Sequence, residues 1–207
     1  TQPLVIEDRD EKQLIRVLPL QKAILYHKNN NGIRHTEITL EEGANLTYLL
    51  WQNEGVLDVR FDISLKQDSS LTFYTMTSSN KSITMNPSIY LKGEGASVQV
   101  MNVFLALDDA KVSCDSFILH EKGNTQSVHE SYIIALDEAS VKVNNNSKII
   151  KGASKSNANQ VAKGLIIGEK SQITADPNLF IEEHDVIAHH GAAIGSLNKQ
   201  RANAWPL

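Results

Sequence analysis

The sequence predicts an all-β chain folded as a parallel β-helix, a solenoid, and three observations predict it. Short strand-like runs ending in Leu or Ile are each followed by two to four mostly polar residues, usually including an acid. Ala or Ser comes next, then a spacer and a new β-type residue. Between these corners the residues alternate, as in Ser97-Val98-Gln99-Val100 and Ser140-Val141-Lys142-Val143, sending one side chain to each face of a pleated strand. Helical 3.6-residue periodicity is nearly absent.

The corners run from Leu40 to Leu46, Leu65 to Leu71, Leu91 to Val98, Leu107 to Val112, Leu136 to Val141 and Ile167 to Ile173. Their closing Leu or Ile residues are spaced by 25, 26, 16, 29 and 31 residues, a loose but recurrent period. A strand–turn–strand unit of this length buries its inward face only by stacking on its neighbours, as a parallel β-helix requires. The small corner residue fits a tight inward bend where Leu would clash. A left-handed hexapeptide helix needs stricter six-residue repetition, and an antiparallel sandwich is the structural alternative. Residues 1–37 lack the corner pattern and are expected to form leading strands or a cap. Residues 38–198 are expected to form the β-helix core, and 199–207 a short tail. Asn144-Asn145-Asn146-Ser147 and Gly152 to Asn157 read as loops or a coil interruption by composition. Glu121 to Val128, flanked by His120 and His129, reads as an excursion between strands, and neither histidine receives a role.

The chain has 207 residues, of which 41% are hydrophobic and 21% charged, which fits one globular domain and excludes wholesale disorder. With 20 Lys+Arg against 24 Asp+Glu, it lacks the basic footprint of a nucleic-acid binder. No run approaches the ~18 apolar residues that span a bilayer, so no membrane partner is expected. The start, Thr1 to Asp8, has no basic segment leading into an apolar one. The single cysteine, Cys114, makes no internal disulfide and gives no reason to invoke an oxidising compartment, so a cytoplasmic location is expected.

Phosphate-binding GxxxxGK[ST], GxGxxG, GxSxG and HExxH motifs are all absent, which disfavours nucleotide hydrolysis and standard hydrolytic chemistry. Acid pairs such as Glu41-Glu42 and Asp108-Asp109 lie at corners, where solvated charge keeps strand ends soluble. The dense constellation is Phe180 to Gly195, which holds three of the seven histidines: His184, His189 and His190. On a single strand His184 and His190 share a face with Glu182, Val186 and Ala188, while His189 faces the other way. Adjacent histidines cannot then share an ion, and His184 and His190 lie roughly 20 Å apart at about 3.3 Å per residue. A complete metal site within the chain therefore fails. Two readings stay open for the remaining imidazole: an ordinary surface or hydrogen-bonded histidine, or a partial ligand completed by another subunit beside a permissive glycine. Cys114 shares parity with Val112, Ser116 and Ile118 and reads as a small buried hydrophobe, with a thiolate ligand the lesser alternative.

Asp176-Pro177-Asn178-Leu179-Phe180-Ile181, followed by Asp185-Val186-Ile187-Ala188-His189-His190-Gly191-Ala192-Ala193-Ile194-Gly195, resembles the signature that closes the β-helix of the SufB/SufD iron–sulfur assembly proteins. It is closest to the SufD form. The resemblance spans residues 38–198, with Lys163 to Ala175 similar to the preceding coil, and implies a right-handed parallel β-helix. It also implies a non-catalytic scaffold that pairs with a SufB-like subunit through terminal coils, or with a second copy, while a SufC ATPase hydrolyses ATP. A transient iron–sulfur cluster is implied at the shared interface. The family's functional histidine matches His190, with His189 the weaker candidate. The family's threonine is Ala193 here, and Ala188 stands where some relatives carry cysteine, removing a second ligand. The helical segment through which the family contacts SufC is not recognisable in Ser196 to Leu207, so that contact is not expected of this chain. Two readings compete with the scaffold: a free-standing β-helix that binds or cleaves polysaccharide, and a purely structural β-helix.

Overall fold

A computed structural model describes residues 4–7, 12–28, 32–52 and 57–197. Among these the chain forms strands β1 (Leu4–Glu7), β2 (Lys12–Val17), β3 (Lys22–Lys28), β4 (Gly32–Leu40), β5 (Asn45–Gln52), β6 (Leu57–Leu65), β7 (Ser70–Ser79) and β8 (Ile83–Leu91). It continues with β9 (Ser97–Ala106), β10 (Lys111–His120), β11 (Gln126–Leu136), β12 (Ser140–Ile149), β13 (Asn157–Ile167), β14 (Gln172–Ile181) and β15 (Ile187–Leu197). Odd-numbered strands make one sheet and even-numbered strands the other, and every pairing is parallel. The fold is a parallel β-helix, and the antiparallel alternative fails. β2 and β3 lie in register with β4 and β5. The expected tail lies outside the described residues. Among the described residues no helix is long and apolar enough to cross a membrane.

Each coil lays one strand in each sheet, and alternation turns every second side chain inward. Strand β8, for instance, alternates buried and half-buried residues along its whole length. The six corners read from the sequence separate β4 from β5, β6 from β7, β8 from β9, β9 from β10, β11 from β12 and β13 from β14. The first three lead from the seven-stranded sheet to the eight-stranded one and the last three lead back. The short 16-residue step is therefore a half coil, a passage from one line of corners to the other. The small corner residues Ala44, Ser69, Ala96, Ala110, Ala139 and Ser171 are buried, as an inward bend demands.

A backbone device builds the first line of corners. Leu20, Gly43, Asp68, Gly95, Asn124 and Lys155 all have φ between 52° and 72°. The N–H of each donates to a carbonyl one coil further on, at Glu42, Gln67, Glu94, Gly123, Ser154 and Asp185 respectively. This left-handed conformation costs most residues about 1–2 kcal/mol but suits Gly, Asn and Asp, which fill four of the six positions.

Asn144 to Ser147, expected as a loop, lies inside β12. Asn145 faces inward and donates to Ser131 Oγ at 3.2 Å, while Ser147 accepts from Gln160 at 2.6 Å. Outward-facing Asn146 donates to Asp115 Oδ1 at 2.9 Å and accepts from Asn178 Nδ2 at 3.1 Å. The opposite sheet and the neighbouring coils supply the partners that such residues find locally in a turn, so pairing overrides composition. The expected excursion at Glu121 to Val128 is a five-residue corner, after which Gln126 already belongs to β11.

Candidate functional site

The constellation Phe180 to Gly195 is not one strand. β14 stops at Ile181 and β15 starts at Ile187, with a corner between them. The carbonyl of Asp185 receives the last bond of the corner ladder, from the N–H of Lys155, and Ile187 N donates to Ser156 O. The Glu183 carboxylate accepts from the N–H groups of Gly152 and His184, both at 2.8 Å, and these bonds hold it below its usual range. Lys148 pairs with Glu182 at 2.6 Å. Thus Glu182, Glu183, His184 and Asp185 shape the corner, and a single face shared by Glu182, His184 and His190 does not exist. Parity applies only from Ile187 onward.

Along β15 the two remaining histidines diverge. His189 stands opposite half-buried Asn159 and points outward. His190 stands opposite Gln160, which is 1% exposed and points into the solenoid. Among the described residues β15 is the last strand of its sheet, and His190 is exposed there. Its inward neighbours are Ala188 and Ala192, too small to screen the ring. Its Nδ1 lies 2.8 Å from the carbonyl oxygen of Pro177, on the opposite sheet. A carbonyl only accepts, so Nδ1 carries the proton and the Nε2 lone pair is left for an electrophile or a metal. This bond to a backbone carbonyl is the outer-shell contact that orients metal-binding imidazoles.

No cluster of three or more metal-ligating side chains forms among the described residues. Cys114 is buried inside β10 near Ser116 Oγ, and burial pushes its thiol up to about 12, far from thiolate chemistry. A buried feature that sequence reasoning missed is the pair His120 and His129, both fully enclosed. His120 bonds Thr125 and Ser127 at 2.8 Å each, bracing the corner, and His129 meets Asn102 at 3.1 Å. Their strand parity was the available signal, since each alternates in phase with buried positions.

With this geometry in place, comparison with known proteins decides the family. The family model described as SUF system FeS cluster assembly, SufBD core domain, matches residues 11–202. The chain belongs to the SufB/SufD core family. Within it the chain is SufD-like. It is 24% identical to the iron–sulfur cluster assembly protein SufD of Bacillus subtilis, over 87% of this chain and 49% of that protein. It is 22% identical to SufD of Escherichia coli, over 82% of this chain and 41% of that one. A third relative is the chloroplastic protein ABCI7 of Arabidopsis thaliana, 20% identical over 80% of this chain and 36% of the relative. The chain spans half or less of the length of these curated relatives. Membership of the SufB/SufD family ties the chain to iron–sulfur cluster assembly.

Proposed function

We propose that this chain is a non-catalytic scaffold subunit that pairs with a SufB-like subunit through its terminal coils and offers His190 Nε2 to the nascent cluster at their junction. The cluster is cargo here, and ATP hydrolysis belongs to a SufC-type partner. The observation that carries the reading is the Nδ1 bond of His190 to Pro177 O. It leaves one oriented lone pair, and among the described residues no group of three or more metal-ligating side chains gathers around it, which supports a partial ligand completed from another chain.

The surroundings support a partner at this end. Among the described residues β14 and β15 are the last strands of their sheets, and such an edge is a template for another chain. Phe180, Ile181, Ile187, Ile194 and Leu197 are exposed large apolar side chains grouped there. A Cβ at Gly191 or Gly195 would meet nothing within 4 Å, so this chain's own packing does not demand those glycines, and they leave room for an approaching backbone.

The test is His190→Ala in the complex reconstituted anaerobically with SufB-like and SufC-like subunits. Cluster yield is expected to fall at least tenfold, while circular dichroism and complex formation stay unchanged because the side chain is exposed. Unchanged cluster yield would remove His190 from the ligand set.

A further inference from the structure

The interior of the solenoid holds both apolar and polar side chains. In the early coils Tyr48, Phe61 and Phe73 are in mutual ring contact at centroid distances of 5.0 to 5.7 Å, beside buried His27. In later coils polar side chains bond from coil to coil. Thr75 Oγ1 donates to Asn102 Oδ1 at 2.6 Å, and Asn102 Nδ2 lies 3.1 Å from His129 Nε2 and 3.3 Å from Ser131 Oγ. Further on, Gln160 Nε2 donates to Ser147 Oγ at 2.6 Å and to Asn178 O at 3.3 Å.

Between these two segments the chain of bonds has one break. His129 Nδ1 and Gln160 Oε1 are both buried and both lack a hydrogen-bond partner. The two residues are register partners on adjacent strands, at 0% and 1% exposure, with backbones about 4.8 Å apart. An unmatched donor or acceptor in such a place costs about 1–3 kcal/mol. The orientation of Gln160 is fixed, because Asn178 O can only accept, so the amide nitrogen faces it and Oε1 faces the other way.

We propose that a single buried water molecule binds between His129 Nδ1 and Gln160 Oε1 and closes a hydrogen-bonded column running from Thr75 to the Asn178 carbonyl. With Thr75 donating to Asn102 Oδ1, the Asn102 amide nitrogen donates to His129 Nε2, so Nδ1 carries the proton and gives it to the water, and the water donates to Gln160 Oε1. The two side chains do not bond each other directly. A cation fits poorly, since the pair offers no charge. Burial holds His129 down to about 3, so its ring is neutral across the physiological range. Structural waters of this kind, with two to four polar partners, occur about once per 27 residues in folded proteins. The inference stands whether or not His190 binds a cluster.

The test is a crystal structure of this chain at about 1.5 Å, with Gln160→Leu as the comparison. A density peak within about 3 Å of both atoms is expected, and it is expected to vanish in the variant. A direct His129–Gln160 bond with no peak, or a peak that persists in Gln160→Leu, overturns the proposal. If the variant does not fold, nuclear magnetic cross-relaxation between the His129 ring and a long-lived water tests the site on the unaltered chain. Such cross-relaxation is expected, and its absence counts against the site.

Discussion

His120 and His129 are enclosed in the solenoid, and burial holds their imidazoles at about 4 and about 3, below the ordinary value near 6.5. The folded state therefore binds fewer protons than the unfolded chain once the pH drops below about 6.5. Stability from both groups is fully present above that pH and is lost as the pH falls toward the folded values. Each group contributes a slope of about 1.4 kcal/mol per pH unit. Denaturant unfolding at pH 6.5 and pH 5, above the carboxylate range, is expected to differ by about 3 kcal/mol. The slope is expected to halve in His129→Leu, and a flat profile between these pH values would contradict the burial of both rings. The sequence alone assigns these residues no role, because strand parity marks them as inward-facing but not which side chains meet them. His190 stands out in the sequence, since the residues around it resemble a family signature and β15 parity separates it from His189. The Pro177 carbonyl that orients its ring does not, because that contact crosses between sheets.

At the scale of the element, the corner is the unit that makes the coil. Gly93 sits where one corner passes over the previous one, and a Cβ there would lie 1.9 Å from the backbone nitrogen of Gln67. Backbone cannot yield as a side chain can, so Gly93→Ala is expected to cost about 3 kcal/mol or more. Gly191→Ala, with open space around it, should stay within about 0.5 kcal/mol. Thermal unfolding of the two variants checks the contrast, and equal melting temperatures would contradict the stacking. Six corners were legible because Leu, an acid and Ala or Ser recur where the chain bends inward. The corner at Asn80 to Ser82 has neither the Leu nor the acid of that pattern, and the one at Glu121 to Thr125 ends in Thr125 instead. Both are set by bonds from neighbouring coils, such as Leu107 N to Ser79 O and Asn124 N to Ser154 O. The Asn144 to Ser147 segment misled for a similar reason, since its partners sit on other strands, across the solenoid or one coil away.

For the whole molecule, stacking explains the stability of the solenoid and motivates the proposed partner. Interior strands are paired on both sides, whereas among the described residues β14 and β15 are the last of their sheets and carry an exposed apolar rim and the oriented imidazole of His190. A solenoid end is a natural place for a cap or another subunit. The chain also spans half or less of the length of its curated relatives. The scaffold account therefore rests on whether the solenoid alone enters the complex. Native mass spectrometry of this chain co-expressed anaerobically with the SufB-like and SufC-like proteins of the same source measures this directly. The account predicts an assembly containing this chain and the SufB-like subunit. A lone monomer, with both partners present and unbound to it, would contradict it.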